Sequence, residues 1–381
     1  MCIRWGVFDC IDARGRHDSW MLQASLSLVN EYFWGVSSLL MGVCMPGNKR
    51  FIENKTTKAW LAQFDPEDQV HMIEMVRGMR LVSRDEFAEA VRSRVLELLS
   101  ETRGRVGLYV EREIPPKSQA PDPLFSQGGI KPRRAFGPGP SPVQPDSSKP
   151  ADVGSEGIVA QLVSEICRER PLRFINHPGP EELRSTKNRI DCLILVTDLI
   201  GSGERAERYL DSFWAVHSVK SWWSGRRSNG LRFFVVAYAA TSRGMDRVKS
   251  HRLMPDVRIV SECPTIDSAF SKDVAEDVKR VCRKYAVVEG GALGFQDTGA
   301  LIAFAHGAPN NGPRVLYGNG SSWLPLFERR KTSAVRQDFG QELDYEGACK
   351  LLLGMRHRVL SGGYDWSRAP KGALETFLVL A

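Results

Sequence analysis

Residues 190–206 read Ile-Asp-Cys-Leu-Ile-Leu-Val-Thr-Asp-Leu-Ile-Gly-Ser-Gly-Glu-Arg-Ala, and this stretch decides the fold. Ile190 to Val196 is a nearly continuous apolar run, the mark of a strand buried on both faces. The run meets an acid at Asp198, passes through Gly201-Ser202-Gly203, and enters a helical pattern from Glu204 to Trp214. A buried strand that turns through glycines into a helix is the opening of a strand–helix–strand unit, whose parallel strands need crossover helices. The same turn can carry chemistry. Glycines let the backbone approach an anion, so the N–H groups from Leu199 and Ile200 through Gly201, Ser202, Gly203 and Glu204 form a candidate phosphate cradle. Ser202 adds a hydroxyl donor, and Asp198 is placed to accept hydrogen bonds from a ribose diol.

The pattern around this core alternates. Ile158, Leu162, Val163 and Ile166 predict a helix, Leu231 to Ala239 a second buried strand, and Val257 to Val260 a third. Val274 to Val281 reads as a helix, with two further strands at Ala300 to Ala305 and Arg314 to Tyr317. Strands alternating with helices predict an α/β fold with a mainly parallel, doubly wound sheet. Upstream, Asp65-Pro66 opens one helix, and Ser83-Arg84-Asp85-Glu86 is a capping box for another, giving a helical hairpin over 57–101. Val106 to Val110 reads as a short strand.

Residues 115–150 hold ten of the chain's 21 prolines, and the stretch is read as an extended, poorly ordered insertion or linker. Leu351, Leu352, Met355 and Val359 share one face of a C-terminal helical cap. The expected organisation is an extension without a role at 1–56, a hairpin and strand at 57–114, the insertion at 115–150, the α/β core at 151–335 and the cap at 336–381.

Composition narrows the classes. With 381 residues, 42% hydrophobic and 25% charged, the chain can bury a sizeable core, which excludes wholesale disorder and a fibrous repeat. The net charge of +7 is concentrated, since residues 201–260 carry eleven Lys and Arg against five Asp and Glu, a field suited to a phosphate-bearing ligand. Eight cysteines lie scattered without a CxxC pair, which argues against structural zinc and a disulfide framework and for a reduced cytoplasm. Tyr32 to Pro46 lacks charge for fifteen residues, short of the roughly twenty that span a bilayer, and reads as a buried helix or strand.

Several other side chains are candidates. His306 follows a predicted strand and precedes Pro309-Asn310-Asn311, so it should emerge at the carboxyl end of the sheet, where open α/β folds bind ligands. Asn310 and Asn311 offer donors and acceptors for a base edge, or they satisfy a tight turn. Tyr238 and Thr241, ending the second strand, line the same pocket or serve packing. Trp222, Trp223, Arg226 and Arg227 are read as helix packing beside a solvated arginine pair rather than as a stacking surface. Gly201 to Ala206 also satisfies the dinucleotide fingerprint G-x-G-x-x-G/A. The acid that should follow about twenty residues later is missing, since Val219 to Trp223 stands there.

An apolar strand, an acid and a Gly-Ser-Gly turn resemble the ribose-phosphate loop of phosphoribosyltransferases, with Thr197 where a first acid often precedes Asp198. Glu204 to Trp214, Phe234 to Gly244, Val281 to Tyr285, Gly294 to His306, Pro309-Asn310-Asn311 and Trp323 to Arg330 follow in order. Together they resemble the phosphoribosyltransferase-like family of bacterial conflict systems, over 57–110 and 155–335. The resemblance implies a Rossmann-like sheet flanked by helices, a phosphoribosyl or nucleotide ligand held at 199–204, and Mg2+ on any pyrophosphate. It also implies glycosyl transfer, with Asp198 and His306 as the catalytic candidates and Tyr238, Thr241, Asn310 and Asn311 at the base. Because the family includes anti-phage effectors beside retron reverse transcriptases, it implies a defence role and a reverse transcriptase or nucleic-acid partner, with no membrane. A non-catalytic nucleotide sensor or partner-binding subunit is the alternative, favoured by Thr197. A nicotinamide-dependent oxidoreductase is a third reading.

Overall fold

The computed structural model describes residues 46–112, 122–128, 134–143, 155–187, 189–225, 231–286, 291–318 and 323–327. The chain divides into two compact units, Met1–Pro46 and Gly47–Ala381, and the second carries the sheet. The uncharged run from Tyr32 lies outside the described residues except at Pro46, and the predicted C-terminal cap and Arg226-Arg227 lie wholly outside them. Among the described residues no helix is long and apolar enough to cross a membrane.

The central strand is longer than its apolar run. Strand β6 (Ile190–Ile200) pairs in parallel with β2 (Arg105–Val110) on one side and β7 (Arg232–Ala240) on the other. Strands β5 (Phe174–Asn176) and β8 (Asp256–Glu262) complete a five-stranded parallel sheet in the order β5-β2-β6-β7-β8. Alternate residues of β6 face opposite layers. Ile194 and Val196 pack with Val91 and Val95 of α4 (Arg84–Glu97) and Val163 and Ile166 of α5 (Glu156–Glu169). Leu193 and Leu195 pack with Tyr209 and Phe213 of α7 (Glu204–Trp214) and Val219 of α8 (His217–Ser224). The fold is therefore α/β, a parallel sheet flanked by helices, as the alternation predicts. Each fully buried aliphatic or aromatic side chain in these layers contributes about 1.5–3 kcal/mol.

A third layer lies beside the sheet. Met72, Met75 and Val76 of α3 (Pro66–Arg77) pack on Val278 and Val281 of α11 (Lys272–Lys284). Trp60 of α2 (Lys55–Leu61) joins them and donates its indole N–H to the Val315 carbonyl at 2.9 Å. Strand β1 (Arg80–Val82), absent from the sequence reading, pairs in parallel with β9 (Ile302–Phe304), so the predicted strand at 300–305 forms a separate two-stranded sheet.

Three expectations change. The strand expected over Arg314 to Tyr317 is instead a 3-10 turn, Arg314–Leu316, because Pro313 lacks an N–H and Gly318 closes back on the Arg314 carbonyl at 2.7 Å. The capping box at Ser83 is half made: Ser83 accepts from the Glu86 N–H at 3.1 Å, but the Glu86 carboxylate turns to Arg80 and the Tyr238 hydroxyl. Within the proline-rich stretch, Ser126–Gly128 and Arg134–Phe136 form an antiparallel hairpin, β3 and β4, with Phe125 and Ala135 buried. It is held by the Leu124 N–H on the Ser212 carbonyl at 2.9 Å and by Arg184 on the Ala135 carbonyl at 2.7 Å, so these residues are docked rather than loose.

Candidate functional site

In chain order the main strands run β2, β5, β6, β7, β8, and the second of them lies outside the first in the sheet. The connections therefore leave β2 and β6 in opposite directions, which opens a crevice beyond their carboxyl ends, the place where doubly wound sheets bind ligands. The residues at that point are Glu111 after β2 and Thr197 to Gly203 at the end of β6.

The Gly201-Ser202-Gly203 turn is buried and tightly held. Gly203 caps α7 with φ of 78°, the left-handed region that favours glycine. Gly201 allows a close approach, since a Cβ there would stand 2.2 Å from Asn311 Cγ. Thr241 donates its hydroxyl to the Gly201 carbonyl at 2.6 Å and accepts the Gly244 N–H at 3.0 Å, so it caps α9 (Ser242–Lys249) and fixes the turn together. The Glu204 N–H lies 3.4 Å from Ser202 Oγ, while the N–H groups of Gly201, Ser202 and Gly203 meet no acceptor among the described residues. Free donors at the mouth of an eleven-residue helix are what an anion requires.

The acids beside the turn form a set that the sequence order hides. Thr197 donates its hydroxyl to Glu111 at 2.5 Å across 86 residues of chain, because the β2–β6 register aligns Val110 with Val196. Arg205 spans both carboxylates, with Nη2 2.7 Å from Glu111 and 3.3 Å from Asp198. Burial pushes the Glu111 carboxyl above its usual range against the pull of Arg205. Burial works the same way on Asp198, but hydrogen bonding from His306 and the charge of Arg205 outweigh it and hold this carboxyl well below the usual range. His306 Nε2 lies 3.3 Å from Asp198 Oδ2.

The predicted site residues separate by what they touch. Asp198 and His306 come together, although His306 follows β9 of the small sheet rather than a strand of the main one. Asn311 packs on Gly201 and donates Nδ2 to the Thr298 hydroxyl at 3.1 Å, and the Asn310 carbonyl accepts from Tyr317 at 2.9 Å. Tyr238 is fully buried, its hydroxyl bonded to Glu86 and Arg80. Trp223 donates to the Leu253 carbonyl at 2.7 Å and packs edge-on against Trp214, the packing role expected of it. Glu204 bonds Gln296 and Arg208. Three arginines near the turn are paired with acids, Arg205 with Glu111 and Asp198, Arg208 with Glu204, and Arg247 with Glu207, while Arg243 donates to the Gln296 carbonyl at 3.2 Å. Most of the positive charge beside the turn is thus offset by local acids.

Glu111 and Arg205 were not anticipated as site residues. For Arg205 the signal was its position in the first turn after the loop; for Glu111 it was an acid directly after a strand, Tyr109-Val110-Glu111.

The PRTase-CE family model matches residues 57–329, well over half of the chain. The chain belongs to the PRTase-CE family. That makes this a phosphoribosyltransferase-like protein, and the PRTase-CE match runs on through the proline-rich insertion that the resemblance left out. The crystal structure of TT1426 from Thermus thermophilus is similar at 15% identity, covering 53% of this chain and 97% of that one with a TM-score of 0.22. No curated protein matches this PRTase-CE chain.

Proposed function

We propose that this protein binds a 5-phosphorylated ribosyl compound at the β2–β6 crevice and transfers its ribosyl group. One observation carries the reading: the Gly-Ser-Gly turn, whose N–H groups meet no acceptor among the described residues, stands at the topological switch point beside two carboxylates, Asp198 and Glu111. The turn and the start of α7 take the phosphate, and Asp198 takes the ribose hydroxyls. As the leaving group departs, C1 gains oxocarbenium character. Ionised Asp198, with Glu111 behind it, stabilises that positive charge, and the rigid turn supplies alignment. Glu111 stands beside Thr197 and supplies from the neighbouring strand the acid that Thr197 lacks.

Magnesium follows from the family resemblance alone. Among the described residues no group of three or more His, Cys, Asp or Glu is placed to hold a metal ion, and Arg205 already occupies the space between Glu111 and Asp198. A protein-held magnesium site does not fit these residues. In this proposal magnesium enters on the oxygens of the ligand's pyrophosphate.

The wider role in the proposal is a cytoplasmic effector of anti-phage defence acting on nucleotides or nucleic acid, with a reverse transcriptase or nucleic acid as partner. Titration calorimetry with 5-phosphoribosyl 1-pyrophosphate tests the site, and Asp198→Asn should weaken binding at least tenfold. Undiminished affinity in that variant would refute the assignment.

A nucleotide sensor is the second reading. Asn311 lies directly on Gly201, and Glu204 bonds Gln296 across the turn, so the loop is covered as a regulated binding site would be. Incubation with a nucleotide extract followed by mass spectrometry separates the two, because an enzyme consumes a compound and a sensor only retains it.

A further inference from the structure

His306 is clamped. Its ring stacks on Phe304 with centroids 4.9 Å apart and planes 13° apart, and Phe87 meets it edge-on at 5.2 Å. The side chain is 9% exposed, and Nε2 faces Asp198 Oδ2 at 3.3 Å. Asp198 stays ionised despite burial, and a carboxylate only accepts hydrogen bonds, so Nε2 carries the proton. Whenever the ring is neutral, Nδ1 is then a bare lone pair. It is buried and has no hydrogen-bond partner among the described residues. A buried polar atom left in this state is costly, and the stacked ring is not free to turn toward another partner. Such a lone pair suits a donor that arrives with the reactants.

Three of the four groups expected at a nucleobase edge are engaged elsewhere, and the fourth, Asn310, lies exposed. The Tyr238 hydroxyl serves Glu86 and Arg80, the Thr241 hydroxyl serves the Gly201 carbonyl, and Asn311 Nδ2 serves Thr298. A small hydroxyl donor needs none of these groups.

Resting on the function proposed above, we propose that His306 Nδ1 is the general base for a hydroxyl acceptor, water or an alcohol, so that ribosyl transfer makes a C1–O bond. The acceptor oxygen gives its lone pair to C1 and its proton to Nδ1. The bond from C1 to the pyrophosphate oxygen breaks, and its electron pair leaves with pyrophosphate. Asp198 stabilises the imidazolium, which then returns the proton to solvent. Nothing is oxidised or reduced.

The test uses the full chain with 5-phosphoribosyl 1-pyrophosphate and magnesium, in water containing methanol, with products read by mass spectrometry. Ribose 5-phosphate and methyl riboside 5-phosphate are expected. His306→Gln should cut their formation about 10²–10⁴-fold while calorimetric affinity for the probe stays within twofold. His306→Asn is the second variant, with thermal melting to confirm folding of each. If either folded variant keeps turnover within threefold of wild type, the inference is wrong. It is equally wrong if wild type binds the probe but forms only C1–N products with added nucleobases, or no product. Absence of probe binding by wild type would overturn the proposed function as well, which separates the two failures.

Discussion

Asp68 and Asp198 are both buried carboxylates paired with cations, and only one of them lies at a site. Asp68, in α3, accepts from Arg280 at 3.1 Å, Lys284 at 2.7 Å and Tyr285 at 3.1 Å, all on or beside α11. Burial opposes its charge, yet Lys284, Tyr285 and Arg280 together hold its carboxyl below the usual range. Two cations and a hydroxyl converge on one acid, and the result joins two helices. At Asp198 the ratio is reversed: Glu111 and Asp198 share one guanidinium, and the neighbouring His306 keeps a nitrogen unpartnered among the described residues. A buried ion pair alone does not mark a functional site. Acids in excess of cations, next to unsatisfied donors and acceptors, do so, because a ligand can complete them.

That contrast can be broken by mutation. The largest effect is expected for Arg205→Ala, which strands two buried acids and should cost about 3–5 kcal/mol in urea unfolding. Adding Glu111→Gln to it should recover much of the loss; if it recovers none, the shared-guanidinium account fails.

His177 is a buried polar group of a third kind, accepting the Val110 N–H at 3.0 Å through Nε2 while Nδ1 faces Asn176 at 2.6 Å. Burial, helped by Arg112, lowers its pKa from 6.5 to about 4, so the unfolded chain binds the extra proton between those values. Its contribution to stability is complete above about pH 6.5 and falls away toward pH 4, by about 3 kcal/mol. His177→Gln should flatten the unfolding free energy over that window, measured against wild type.

Thr197→Asp restores the acid at the position where the phosphoribosyltransferase pattern has one. Because Glu111 already stands 2.5 Å from the Thr197 hydroxyl, the new carboxylate should destabilise the fold by about 2 kcal/mol and not raise turnover. Combining it with Glu111→Thr should restore stability if one acid at this place is what the fold requires.

Lys284→Ala should have the smallest effect in thermal or urea melts, well below that of Arg205→Ala, because Asp68 keeps Arg280 and Tyr285. A loss as large as that of Arg205→Ala would erase the distinction between the two carboxylates.

The helix Glu204–Trp214 and the strands at 190–200 and 232–240 were legible because their signals are local. Apolar residues repeat at the period of the element, and glycine marks the turn. The half-made box at Ser83 shows the limit of that logic. Ser83 caps its helix as the local motif predicts, but Glu86 finds better partners in Arg80 and Tyr238, which is 152 residues away. The strand pair Ser126–Gly128 and Arg134–Phe136 is not legible in the sequence because proline content argues against sheet, whereas its burial comes from a surface supplied by distant helices.

The sequence by itself determined the α/β class, the strand–turn–helix at 190–214 and the candidacy of Asp198, all through short-range periodicity and turn chemistry. Only the tertiary structure decided that Glu111 stands beside Thr197, that Arg205 bridges both acids, and that His306 reaches Asp198 from a separate two-stranded sheet. Those meetings depend on which strands are neighbours and in what register. Register is set by the burial of whole faces, which no local window of residues contains.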